Sequence, residues 1–338
     1  MRELGAAGRP IQIEGAGTKR GWINGAAETV LATGALDRIV EHNEGDFTAI
    51  LEAGVPFAEA QERFARAGQM LALDPPLSAD GGEPHATIGG VVATADSGPL
   101  RHRYGGVRDL VVGITVVLSD GTVAKAGGKV IKNVAGYDLA KLFAGSFGTL
   151  GLIASVSVRL HPLPEQTATV AIERDDPDEL LQVVLEHARR PLEADCFDVT
   201  WVDGKGRLLL RFSGASAREQ AERVGEIADV DWDDVRGLQR GQVVLKVSGR
   251  TTDLPNVIRA AGDATVVSRA ALGLSWIALP DASRVQDIRQ ALAPRHCAVL
   301  DGAESVRDAA PGQVVMERLK ARFDPARIFR PGVFVGGI

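Results

Sequence analysis

The chain has 338 residues, of which 45% are apolar and 24% charged, and its net charge is −6 at neutral pH. This length suits two domains, or one large core with an inserted unit. The apolar fraction is that of an ordinary globular protein. The negative balance, without a basic stripe, excludes a general nucleic-acid binder. The two cysteines, Cys196 and Cys297, stand far apart, and the six histidines show no H-x-x-x-H spacing. No metal is therefore expected, and the cytosol is the compartment that fits. The start Met1–Gly8 has no apolar core of signal-peptide length, and apolar runs such as Leu110–Leu118 are strand-sized. Any membrane role is expected to run through a partner.

In chain order, Ile11–Glu14 reads as a strand running into Gly15-Ala16-Gly17-Thr18-Lys19. Consecutive N–H groups in such a loop can form an anion-binding nest, to which Lys19 either adds charge or stays solvated. Arg20 stands where a Rossmann fingerprint needs its third glycine, and Gly128-Lys129 is followed by Val130, not Ser or Thr. Neither a Rossmann nor a Walker A loop is present. Arg38–His42 and Thr48–Ala53 read as strands. Pro56 opens a helix through Gly68 with Phe57, Ala60, Phe64 and Ala67 on one face. Asp74–Gly82 is rich in proline and glycine. The small-residue run Thr87–Gly98 suits either a backbone pressed against a ligand or a tight helix in a crowded core. Leu110–Leu118 and Thr122–Ala124, joined by Ser119-Asp120-Gly121, make a hairpin.

Gly127–Gly151 is glycine-rich yet contains an amphipathic turn of helix. Asp138 can cap it, Leu139, Leu142 and Phe143 share a face, and Gly145 can end it in a left-handed conformation. In the strand after Gly151, Leu152, Ala154, Val156, Val158 and Leu160 point one way, while Ile153, Ser155, Ser157 and Arg159 point the other. The glycines serve either tight turns or close approach to a ligand, and three such loops suggest one extended ligand with a diphosphate.

Beyond Pro162 and Pro164 the glycine loops stop. Two successive sets follow: Thr167–Glu173 strand, Asp178–Arg189 helix, strands Phe197–Val202 and Arg207–Phe212, helix Ala217–Ala228. Then come strand Val243–Val247, helix Asp253–Ala261, strands Thr265–Ser268 and Leu274–Leu279, helix Ala282–Leu292 and strand Cys297–Leu300. Each set reads as a ferredoxin-like βαββα(β) unit. Met316–Phe323 closes the chain as a helix.

The order GAGTK, TIGGVVATADSG…RYGG and GGKVIKNVAGYDLAKLFAGSFGTLGLI resembles the FAD-binding domain of the vanillyl-alcohol-oxidase/PCMH-type flavoproteins. Within that superfamily KNVAGYDLAKL is most similar to the FAD-binding E subunits of bacterial glycolate oxidases. Asp324–Gly332 resembles the family's closing DP…FNPG motif, with Arg330 where relatives commonly carry asparagine. The resemblance implies an α+β fold: a two-lobed PCMH-type FAD domain (1–165), an inserted ferredoxin-like cap (166–310) and a C-terminal segment (311–338) returning to the first domain. It implies non-covalent FAD held by Gly15, Ala16, Gly17, Thr18 and Lys19, by Pro75, and by Thr87, Gly89, Gly90, Ala93, Ser97 and Gly98. Asn133, Tyr137 and Asp138, then Gly145, Ser146, Gly148, Gly151 and Ile153, complete the expected set.

The implied activity is oxidation of glycolate to glyoxylate, alongside a larger FAD-binding subunit and an iron–sulfur subunit. The alternatives are an independent dehydrogenase for another small 2-hydroxy acid, and a subunit that only relays electrons. The expected location is the cytoplasm, with contact to the inner membrane through a complex. Bottom-up, Asn133 can cap or turn, Tyr137 can be core, and Asp138 can be only a cap. No Gly-x-Ser-x-Gly elbow is present, since Ala144 precedes Gly145-Ser146, and no residue is assigned as catalytic. His102, between Arg101 and Arg103, is read as solvated or phosphate-facing instead of a covalent flavin attachment.

Overall fold

The computed structural model describes residues 1–23, 27–78, 85–128, 138–302 and 312–338. The first part holds β1 (Ile11–Glu14), β2 (Thr29–Ala32), β3 (Ile39–Asn43), β4 (Thr48–Glu52), β5 (Gln69–Met70), β6 (Val111–Val117), β7 (Val123–Gly127), β8 (Leu152–Arg159) and β9 (His161–Pro162). β1 and β2 pair in parallel as one small lobe. Ile328–Arg330 returns to the free side of β1, where Ile11 N donates to Ile328 O at 2.6 Å and Arg330 N to Ile11 O at 3.2 Å. Among the described residues the second lobe is a five-stranded sheet in the order β3-β4-β8-β6-β7. The expected hairpin is β6–β7, paired antiparallel. Phe57, Phe64, Ile88, Val92 and Phe143 bury against this sheet.

Two expectations change: the helix expected over Ala217–Ala228 ends at Glu222, with Ile227–Ala228 in a strand, and the alternation in β8 breaks, while the run Thr87–Gly98 takes the second of its two readings. The run Thr87–Gly98 contains the helix Ile88–Thr94, capped by Thr87 Oγ1, which accepts from Gly90 N at 3.2 Å. In β8, pairing with β6 passes from Ser155 opposite Thr115 to Ile153 opposite Val116. Ala154 is skipped, so the strict alternation breaks there and Ile153 is buried as well.

The second part holds β10 (Thr167–Arg174), β11 (Cys196–Val202), β12 (Lys205–Ser213), β13 (Ile227–Ala228), β14 (Val243–Ser248), β15 (Thr265–Arg269), β16 (Leu274–Leu279) and β17 (His296–Asp301). Among the described residues these form one sheet in the order β13-β10-β12-β11-β15-β16-β14-β17. Each half carries the ferredoxin-like order, and the halves join through antiparallel pairing of their second strands, β11 and β15. Side chains alternate cleanly between the two faces. Leu208, Leu210, Phe212, Leu245, Val266, Ile277 and Val299 pack beneath the helices Pro177–Ala188 and Leu254–Ala261. Leu209, Val244, Val267, Trp276 and Leu300 face Trp22 and Leu100 of the first part. Both faces are covered, so apolar residues stand at successive positions, as in Leu208-Leu209-Leu210 and Val243-Val244-Leu245. Each fully buried leucine or valine adds about 1.5–3 kcal/mol. Among the described residues no helix is long and apolar enough to cross a membrane.

Candidate functional site

The end of β1, the start of the helix Ile88–Thr94 and the turn before β8 converge on one cleft. One wall is Gly15, Ala16, Gly17, Thr18 and Lys19; another is Thr87, Gly89, Gly90 and Ala93; a third is Gly148, Gly151 and Ile153. The structure thus brings together most of the residues expected from the three glycine loops. A Cβ on Gly15 would stand 2.2 Å from Thr87 Oγ1, so only glycine lets the first loop close on the second. At Gly148 φ is +71°, and the nearest atom to an added Cβ is Ile13 Cβ at 3.6 Å, so that backbone is exposed to the cleft. The glycine-lined walls leave backbone open to close approach by a ligand.

Other predicted residues stand elsewhere. Pro75 is buried and lines a separate groove with Asp74, Arg236 and Arg240. Gly98 packs on the chain itself: its Cβ would sit 1.9 Å from Asp74 O. Ser97 O accepts from Gln239 Nε2 at 3.1 Å, which ties it to the second part. Gly145 has φ +81° and donates to Val92 O at 3.1 Å, while Ser146 is buried behind the cleft wall. Asp138 caps its helix, accepting from Lys141 N at 3.3 Å, and is half exposed. Asn133 and Tyr137 lie outside the described residues.

Lys19 is buried, and its Nζ is 3.3 Å from Asp96 Oδ2. Arg240 approaches the same oxygen at 3.4 Å. Burial lowers the Lys19 pKa, and Asp96 opposes that shift. The Trp22 ring lies 5.8 Å from Lys19 Nζ and 5.4 Å from Arg240 Cζ, and its Nε1 donates to Asp301 Oδ2 at 2.7 Å. Charges from both parts of the chain therefore neutralise one another at the inner end of the first loop. Burial raises the Asp301 carboxyl.

Sequence reasoning missed several lining residues, among them Gln12, Glu14, Arg20, Thr33 and Phe147. Glu14 accepts from Gln12 Nε2 at 2.6 Å and from Arg20 Nε at 3.0 Å, and Arg330 Nη1 donates to Gln12 Oε1 at 2.8 Å. Arg330 is thus a buried brace beneath the cleft. Phe147 did carry a signal, as a large aromatic inside the small-residue run Gly145–Gly148.

Deeper in the interface lie Asp74 and Asp198, whose carboxyls are each pushed up to about 6, first by burial. Arg236 stands 3.6 Å from Asp74, and Arg269 stands 3.6 Å from Asp198. The Arg269 guanidinium lies 4.3 Å from the Trp276 ring centroid and donates to Gln239 Oε1 at 2.6 Å. His102 packs on Phe197 of the second part, ring centroids 5.3 Å apart, and is not among the cleft residues. Among the described residues no group of three or more His, Cys, Asp or Glu side chains is gathered to hold a metal.

Residues 1–127 match the family described as "FAD binding domain". The chain is 31% identical over 204 residues to glycolate oxidase subunit GlcE of Escherichia coli (strain K12), covering 60% of this chain and 56% of that protein. It is 36% identical over 180 residues to glycolate oxidase subunit GlcD of Bacillus subtilis (strain 168), covering 52% of this chain and 37% of that one. A D-lactate dehydrogenase of Archaeoglobus fulgidus is 30% identical over 237 residues, covering 64% of this chain and 52% of its own length. The chain thus spans about half the length, or less, of these relatives. Among solved structures, an alkyldihydroxyacetonephosphate synthase superposes with a TM-score of 0.69 at 15% identity, covering 97% of this chain and 73% of that one. That likeness extends the fold over nearly the whole chain. Residues 1–127 thus carry an FAD-binding domain, and the cofactor that domain takes is FAD.

Proposed function

We propose that this chain is the FAD-binding subunit of a glycolate oxidase assembly, working beside a larger FAD-binding subunit and an iron–sulfur subunit. The observation that carries the reading is the glycine-lined cleft, lying largely within the segment that matches the FAD binding domain. The similarity to GlcE and GlcD supports the substrate and the multi-subunit setting. When bound, FAD supplies the two-electron acceptor for the CH–OH carbon of a 2-hydroxy acid.

The chain's own residues bind and shield. The loop 15–19 and the turn around Gly148 offer backbone at van der Waals distance, where side chains would intrude. Trp22, Leu100, Trp232 and Trp276 fill the contact between the cleft and the cap sheet and exclude water there.

The test is the flavin absorbance spectrum of the chain purified alone and with its partners, before and after anaerobic addition of glycolate. The expected result is bound flavin that stays oxidised alone and bleaches in the assembly. Bleaching of the isolated chain would favour an independent dehydrogenase, the reading that the D-lactate dehydrogenase similarity supports. A chain that takes up no FAD would sink both.

A further inference from the structure

Phe147 holds φ +55°, a left-handed conformation that bulky residues rarely adopt. Its neighbours Gly145 and Gly148 share that region at φ +81° and +71°, so glycine at 147 would meet no conformational penalty. The conformation is pinned from outside. Phe147 N donates to Ala93 O at 2.8 Å and Gly145 N to Val92 O at 3.1 Å, both near the C-terminal end of the helix Ile88–Thr94. Ala95, the residue that ends this helix, is itself left-handed at φ +49°.

What the strained backbone delivers is the place of one ring. Phe147 lines the cleft, and its ring is braced twice. Trp22 stands 6.4 Å away on centroids and Phe334 of the C-terminal segment 5.7 Å away. Trp22 is anchored in turn by its hydrogen bond to Asp301 of the cap sheet. A costly conformation kept by two hydrogen bonds and two aromatic braces points to a use for the side chain in the cleft.

We infer that Phe147 is the positioning residue of the cofactor cleft, its ring a wall on which a flat aromatic ring of FAD packs, with Phe334 as the backstop of that wall. The inference rests on the FAD reading of the cleft. Aromatic rings packed offset or edge-on gain beyond the area they bury, and a braced ring loses little freedom when it makes that contact.

The experiment uses the full chain stripped of flavin and titrated with FAD by flavin fluorescence, together with thermal melts without FAD. Phe147→Ala and Phe147→Gly are expected to weaken FAD binding about tenfold. Phe147→Tyr, which keeps the ring, stays within about threefold of the parent, and Phe334→Ala loses about threefold. Glycine suits the left-handed backbone, so weakening in Phe147→Gly reports the missing ring. Its flavin-free melt is expected within about 3 °C of the parent. Ala and Gly variants that bind FAD as tightly as the parent overturn the inference, and so does a collapsed flavin-free melt of Phe147→Gly, which would assign the ring to the fold. A parent chain that takes up no FAD refutes the cofactor reading instead.

Discussion

A Cβ on Gly15 would stand 2.2 Å from Thr87 Oγ1, so the first loop and the cap of the helix Ile88–Thr94 meet at a distance that only glycine permits. The same Thr87 oxygen accepts from Gly90 N, so it cannot simply rotate away without uncapping the helix. Gly15→Ala is predicted to weaken FAD binding about tenfold, which is about 1.4 kcal/mol. Thr87→Ala alone costs about 1 kcal/mol of stability through the lost cap. Combining the two changes should recover most of the FAD affinity, because the obstructing hydroxyl is gone. Fluorescence titration of the three variants checks this, and an unrecovered double variant would show that the loop has another reason to need glycine.

Lys320 Nζ donates to Thr149 O at 2.7 Å, Asp324 Oδ2 at 2.7 Å and Phe329 O at 2.6 Å. All three ammonium protons are placed, and Asp324 is fully buried while accepting from Ile328 N and Phe329 N as well. Lys320→Met keeps the stem but strands a buried carboxylate, at a cost of about 3–5 kcal/mol. Chemical denaturation should show that loss, and the Ile11–Ile328 contact should loosen with it, since the same segment flanks β1.

Asp74 and Asp198 give the protein a pH dependence of definite sign. Their folded carboxyls sit near 6, above the ordinary value of 3.8, because burial outweighs the attraction of Arg236, Arg211 and Arg269. Between about pH 4 and pH 6 the folded chain binds more protons than the unfolded one, so this contribution is full below pH 4 and lost as pH rises through 6. The double variant Asp74→Asn with Asp198→Asn removes that slope. Its melting temperature relative to the parent should rise from pH 4.5 through pH 6 and then level off, whatever the offset from disturbing the arginines. A constant difference would show that neither carboxyl titrates in this window.

His102 stacks on Phe197 and stays away from the cleft. Acid precipitation is therefore predicted to release the flavin into the supernatant, and His102→Ala should leave the amount of bound flavin unchanged. Flavin that stays with the precipitate in the parent but not in the variant would establish a covalent link.

Most of the sheet architecture was legible in the chain because it rests on local pattern. The period-two alternation marked β8, and the Ser119–Gly121 turn marked the β6–β7 hairpin. The two βαββα(β) sets were each legible because a strand and its helix bury neighbouring stretches of sequence. The three glycine loops were legible as candidates for one ligand, and parts of all three line one cleft.

What the tertiary structure alone decided depends on residues far apart in the chain. The helix Ile88–Thr94 is built from glycine, valine and threonine, weak helix formers; it holds because Gly89 lets it press onto Ala53, where a Cβ would stand 2.6 Å from the alanine methyl. The junction of β11 with β15, the closing of Ile328–Arg330 on β1, and the sharing of Asp96 by Lys19 and Arg240 follow no period in the sequence. Side-chain type and spacing state which face of an element must be buried. Only the folded chain states against what, because the partner is chosen by shape and charge across the whole molecule.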